Sequence, residues 1–164
     1  MPSHPLEHFF APVGKVVVLF SQLESTLIIL VGGMCLPEFG AVSALMAEAS
    51  FGRKLDALKC IGDEKVRDPA LQGKLEELLK RLQTAEEIRN RVAHTLWTGP
   101  AGGQLMKLKW NAKRKTGNQP GLRNTTLEEL DTMAQEVQRV FGALVDFMRS
   151  LQKAGILKIQ LVRD

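Results

Sequence analysis

From Phe9 to Met34 the chain sets an apolar residue at alternating four- and three-residue steps: Phe9, Val13, Val16, Phe20, Leu23, Leu27, Leu30 and Met34. That spacing lines all of them along one stripe of an α-helix and along neither face of a strand. Val17, Leu19, Ile28, Ile29 and Val31 add a second apolar face. A helix apolar on two sides has to be covered on two sides, by its own chain or by a partner subunit. A membrane is a poor cover for it. Ser21, Gln22, Glu24, Ser25 and Thr26 would fall near mid-bilayer, where a carboxylate costs roughly 2.5–3.5 kcal/mol. The expectation is therefore a packed helix over Pro12–Met34, with no membrane span.

The rest of the chain reads as further helices around that one. Residues 41–62 form a broken helix with Val42, Leu45, Leu55, Leu58 and Ile61 inward. Asp68 as N-cap and Pro69 at the first helical position open a long helix that Gly99-Pro100 should end. Thr126 and Glu129 form a capping box for the last helix. Leu127, Leu130, Ala134, Val137, Phe141, Leu144, Met148 and Leu151 line its inner face, and Gly155 closes it. Two short stretches alternate with period two instead, Met106–Trp110 and Leu157–Leu161, and read as strands that could pair. The expected fold is mainly α: a bundle of four to five helices with a small β-strand appendage. It forms one domain over residues 1–164, with a basic strand-and-loop insertion at about 98–125.

Charge is unevenly distributed. Lys107, Lys109, Lys113, Arg114, Lys115 and Arg123 stand in an acid-free stretch between Thr95 and Leu127, which leaves the remainder at −2 against a chain total of +4. The basic stretch could track a phosphate backbone with Trp110 stacked on a base, or be a solvated strand edge whose lysines deter aggregation. Cys35 and Cys60 have no metal-ligand spacing, and two lone thiols suit a reducing compartment. The first ten residues lack the basic and apolar regions of a secretory signal, so a cytoplasmic location is expected. His4 and His8, interrupted by Pro5, make a poor metal pair, and neither a metal nor a cofactor is expected.

The long helix carries one discordant residue. Leu71, Leu75, Leu78, Leu82, Ala85, Ile88, Val92 and Leu96 form a band, and Arg89 projects into its centre, with Asn90 and His94 together along one edge. A guanidinium cannot shed its charge, so burying it demands an anion or a cage of carbonyls. Glu24, Asp56 or Glu86 could supply a core ion pair; alternatively the anion is a ligand phosphate and the band opens onto a cleft or interface.

The run Arg89-Asn90-Arg91-Val92-Ala93-His94 resembles the R-N-x-x-x-H signature of the HEPN superfamily (higher eukaryotes and prokaryotes nucleotide-binding). The likeness extends to the apolar first helix with FSQLESTL, the motif late in a long helix, a Trp soon after it, and a closing helix behind a threonine-rich cap. The resemblance implies a helical homodimer whose two motifs face each other, with RNA or a nucleotide as ligand. Many members are metal-independent ribonucleases acting as toxins, in phage defence or in RNA processing; others are non-catalytic binding modules. It gives the catalytic roles to Arg89 and His94, with Asn90 in support, and allows an antitoxin or other regulatory protein as partner. The chemistry is compatible: an arginine fork matches phosphoryl oxygens, and an imidazole transfers protons near neutral pH. One chain offers one such imidazole, so a second would come most simply from a second subunit. A structural helical dimer with Arg89 in a buried ion pair is the rival without ligand chemistry.

Overall fold

The computed structural model describes residues 7–94, 96–98, 105–109 and 121–159. Five helices occur among them: α1 (Glu7–Met34), α2 (Phe39–Glu48), α3 (Phe51–Lys65), α4 (Pro69–Ala93) and α5 (Leu127–Lys153). Three short strands lie between α4 and α5: β1 (Leu96–Thr98), β2 (Leu105–Lys109) and β3 (Gly121–Thr125).

Helix α1 is the axis of the bundle, and α2, α3, α4 and α5 all pack on it. Its four-three stripe is the stripe that is buried: Phe9, Val16, Phe20, Leu23, Leu27, Leu30 and Met34, with Val13 partly covered beside them. The helix begins at Glu7, earlier than expected, and continues through Pro12. The segment Phe9–Met34 is long and apolar enough to cross a membrane; an 18-residue stretch of it has mean hydropathy 1.9, and 44% of that stretch is buried inside the bundle. Gly32 faces α2. A Cβ there would run into the Ser43 hydroxyl and the Phe39 ring, so a hydrogen lets the two helices meet.

Local cap chemistry sets several boundaries. Ser50 accepts a hydrogen bond from the Arg53 N–H at 3.4 Å and opens α3, dividing the stretch 41–62 into two helices. Asp68 accepts from the Leu71 N–H at 2.9 Å, ahead of Pro69 in the first turn of α4. Thr126 and Glu129 close a reciprocal box at the start of α5. At the far end Gly155 takes φ +73°, the left-handed turn that lets the chain fold back.

Three expectations need correction. Leu45, expected inward, is 75% exposed, and Met46 takes the buried position on α2. Helix α4 stops at Ala93, with His94 as its C-cap, because the chain from Leu96 enters β1 and pairs there. The stretch beginning at Leu157 forms no strand through Ile159; its later residues lie outside the described ones. Leu157 is instead buried where Gly33 leaves room, and Gln152 Nε2 donates to the Ile159 carbonyl at 2.6 Å. The other alternating stretch falls on β2, which pairs antiparallel with β1 and β3, in the order β1-β2-β3.

Candidate functional site

The end of α4 is fixed from two sides. Leu75, Leu78, Leu82, Ala85, Ile88 and Val92 are buried against the bundle, each such side chain contributing about 1.5–3 kcal/mol for the larger ones. Arg89, next to Ile88, is thereby turned to the margin of that band rather than its centre. It is half-buried. Its guanidinium carbon lies 5.0 Å from the centroid of the Phe20 ring, a cation–π contact made from α4 to α1. Phe20 is backed in turn by Phe51 on α3, with ring centroids 4.8 Å apart.

The same guanidinium reaches the motif histidine. Arg89 Nη1 lies 3.3 Å from His94 Nε2. As a donor–acceptor contact this requires Nε2 to be the unprotonated nitrogen, with the ring proton on Nδ1. His94 is exposed, and its backbone N–H donates to the Asn90 carbonyl at 3.1 Å, ending the helix. Its ring is therefore aimed by the last turn while its edge is open to solvent. Asn90 is exposed one position from Arg89, beside the pair. The structure thus brings Arg89 and His94 into contact at the surface of the bundle, with Asn90 alongside.

No core ion pair compensates Arg89 among the described residues. Among the described residues neither Glu24, Asp56 nor Glu86 makes a salt bridge with it. Glu24 is engaged elsewhere: its Oε1 accepts from Lys54 Nζ at 2.7 Å. Among the described residues the buried cation is Lys54, 2% exposed, which also donates to the Ala49 carbonyl at 2.7 Å. Sequence reasoning missed it, although a signal existed. Lys54 stands three residues after Phe51 and four before Leu58, inside the apolar stripe of α3. Phe20 offered no such signal, because what sets it apart is a contact between helices.

Of the basic segment, Lys107 and Lys109 lie on β2, where Lys107 is in register with Trp97 on β1 and Arg123 on β3. Trp110, Lys113, Arg114 and Lys115 lie outside the described residues, as does His4. Among the described residues no three His, Cys, Asp or Glu side chains gather to hold a metal ion. A groove of about 490 Å³ opens between α4 and α5, lined by Lys74, Glu77, Arg81, Arg139, Asp146 and Phe147 among others. None of the motif residues lines it, and its charges are shared out locally: Arg139 pairs with Glu136 and Asp146 with Arg149. The chemistry-bearing cluster is at Arg89. No protein family, curated protein or solved structure matches the chain.

Proposed function

We propose that this chain is a metal-independent endoribonuclease of the HEPN type, acting in the cytoplasm as a homodimer with a composite site. The observation that carries the reading is the contact between Arg89 and His94 at an open surface, with the guanidinium charge left unpaired by any carboxylate among the described residues. A permanent cation half-buried beside an imidazole is suited to an external oxyanion. In RNA cleavage the ribose 2′-hydroxyl gives up its proton, the 2′-oxygen bonds to phosphorus, and the bond to the 5′-oxygen breaks as that oxygen takes a proton. The products are a 2′,3′-cyclic phosphate and a 5′-hydroxyl. His94 Nε2 is the group in this chain for proton transfer. Arg89, once turned from the ring to the phosphate, stabilises the charge that builds on the phosphoryl oxygens. Asn90 would hold the substrate beside them, and the basic segment from Lys107 would follow the backbone.

A single histidine in the motif, His94, motivates the dimer, and α1 offers the surface. Beside the edge that holds Phe20, its outer face leaves Val17 at 42%, Val18 at 58% and Ile29 at 41% exposure, with Ser21 and Ser25 between them. This uncharged stripe can meet its own copy without like-charge repulsion, as a two-fold interface requires. Sedimentation of the wild type is expected to show a dimer. Val18→Glu is expected to give a folded monomer without cleavage activity. A wild type that stays monomeric at micromolar concentration would refute the composite site.

The direct test is incubation of the purified protein with mixed RNA in excess EDTA. Cleavage to 2′,3′-cyclic phosphate ends is expected. Retention of RNA without cleavage would point to the second reading, a non-catalytic module that uses the half-buried Arg89 as an anion anchor.

A further inference from the structure

Phe20 and Glu24 stand one turn apart on α1, and Phe51 and Lys54 stand one turn apart on α3. The two helices set these pairs against each other, the ring centroids 4.8 Å apart with the planes tilted at 47°, and carboxylate to ammonium at 2.7 Å. Removing an ammonium from water is unfavourable, and a well-packed apolar side chain in such a place often serves stability equally well or better. Lys54 is nonetheless buried here, in the turn that also supplies the ring behind Phe20.

Its neighbour explains what a buried cation does at that position. Glu24 is 32% exposed in its side chain and begins four residues from the ring over which the Arg89 guanidinium lies. Residues four apart on a helix are surface neighbours, so Glu24 is the acid one turn along α1 from the ring that the Arg89 guanidinium covers. Among the described residues, however, Arg89 hydrogen-bonds only to His94, while Glu24 is held by Lys54. Asp56 is exposed on α3 and Glu86 half-buried on α4, and neither pairs with Arg89.

We propose that Lys54 is a positioning residue that holds the Glu24 carboxylate away from Arg89 and so keeps the guanidinium open to an oxyanion of the phosphodiester class. The identity of that oxyanion as an RNA phosphate rests on the ribonuclease reading above; the role of Lys54 does not. A carboxylate and a phosphate use the same guanidinium fork, so they exclude each other. With Lys54 gone, Glu24 turns to Arg89 and the site closes on its own acid.

The test compares the wild type, Lys54→Met and the double variant Lys54→Met with Glu24→Gln, each melted first to establish that it is folded at the assay temperature. Inorganic sulfate is titrated while the Arg89 Nε–Hε resonance is followed by NMR, and RNA cleavage is measured on the same samples. Lys54→Met is expected to weaken the sulfate response roughly tenfold, the scale of a charge-assisted hydrogen bond. Removing the Glu24 charge in that background is expected to restore it. A merely structural Lys54 would leave sulfate affinity unchanged in the folded variant. That result, or failure of the double variant to recover, overturns the proposal. If the methionine variant melts too low, Lys54→Gln, which keeps a donor for the Ala49 carbonyl, makes the same comparison. A sulfate response that follows this pattern in a protein that never cleaves RNA removes the ribonuclease reading and supports the role of Lys54.

Discussion

His94→Ala is expected to lower RNA cleavage by about 10²–10⁴-fold, the range for removal of a general acid or base, while the protein stays folded. His94 is an exposed C-cap whose ring contacts Arg89, and alanine keeps the backbone hydrogen bond to Asn90 that ends α4. Arg89→Ala is expected to lower cleavage by about 10²–10³-fold through loss of charge stabilisation at the phosphoryl oxygens. Its effect on folding is expected to be small. The guanidinium makes no salt bridge among the described residues, so the substitution strands no buried carboxylate, an event that costs about 3–5 kcal/mol when a buried pair is broken. What it loses are the contacts with His94 and with Phe20, the latter worth about 0.5–2 kcal/mol between exposed and desolvated sites. For a chain of this size that lowers Tm by only a few degrees. Thermal melts and an RNA gel on the two variants check both halves. An Arg89→Ala protein that melts far below the wild type and still cuts RNA at full rate would end the catalytic assignment.

Leu58→Ala is expected to destabilise the fold by about 2–5 kcal/mol, whereas Leu45→Ala should change stability by no more than about 0.5 kcal/mol. Both leucines occupy positions that the sequence pattern assigns to the core. Leu58 is fully buried on α3, where truncation removes its transfer free energy and leaves a cavity. Leu45 is 75% exposed on α2, so alanine there removes surface that already faces solvent. Chemical denaturation of the two variants side by side measures the difference. Equal losses would mean that Leu45 is covered in solution, and a partner on the outer face of α2 would then have to be sought.

The difference between these leucines marks where sequence reasoning stops working. Helix α2 is ten residues long, and its alternatives Leu45 and Met46 are adjacent, so periodicity over such a span fixes the inward direction poorly. Over the full length of α1 and α5 the same reasoning succeeded, because many spaced positions vote for one direction. Its exceptions sit at the ends and margins: Leu127, at the first turn of α5, is 40% exposed, and Phe141 is only partly buried. Caps were legible for a related reason. Asp68 and the Thr126–Glu129 box act on N–H groups within three residues, so the chemistry that ends the helix is written beside it.

The helical character of the chain, the start of α4 and α5, and the placing of Arg89 and His94 on one helix end were thus determined by the sequence itself, since each depends on residues within a turn or two. The end of α4 was not, because β1 leaves the helix to pair with β2, a partner that local propensity does not reveal. Nor was the choice of which cation to bury. Helical arithmetic assigned burial to Arg89, but how deep a side chain sits at the margin of a band depends on where the neighbouring helices lie. The packing of α1, α3 and α4 laid Arg89 across Phe20, left it half-exposed against His94, and buried Lys54 against Glu24 instead. Charge pairing acts between side chains brought together from distant parts of the chain, and only the tertiary structure decides which ones meet.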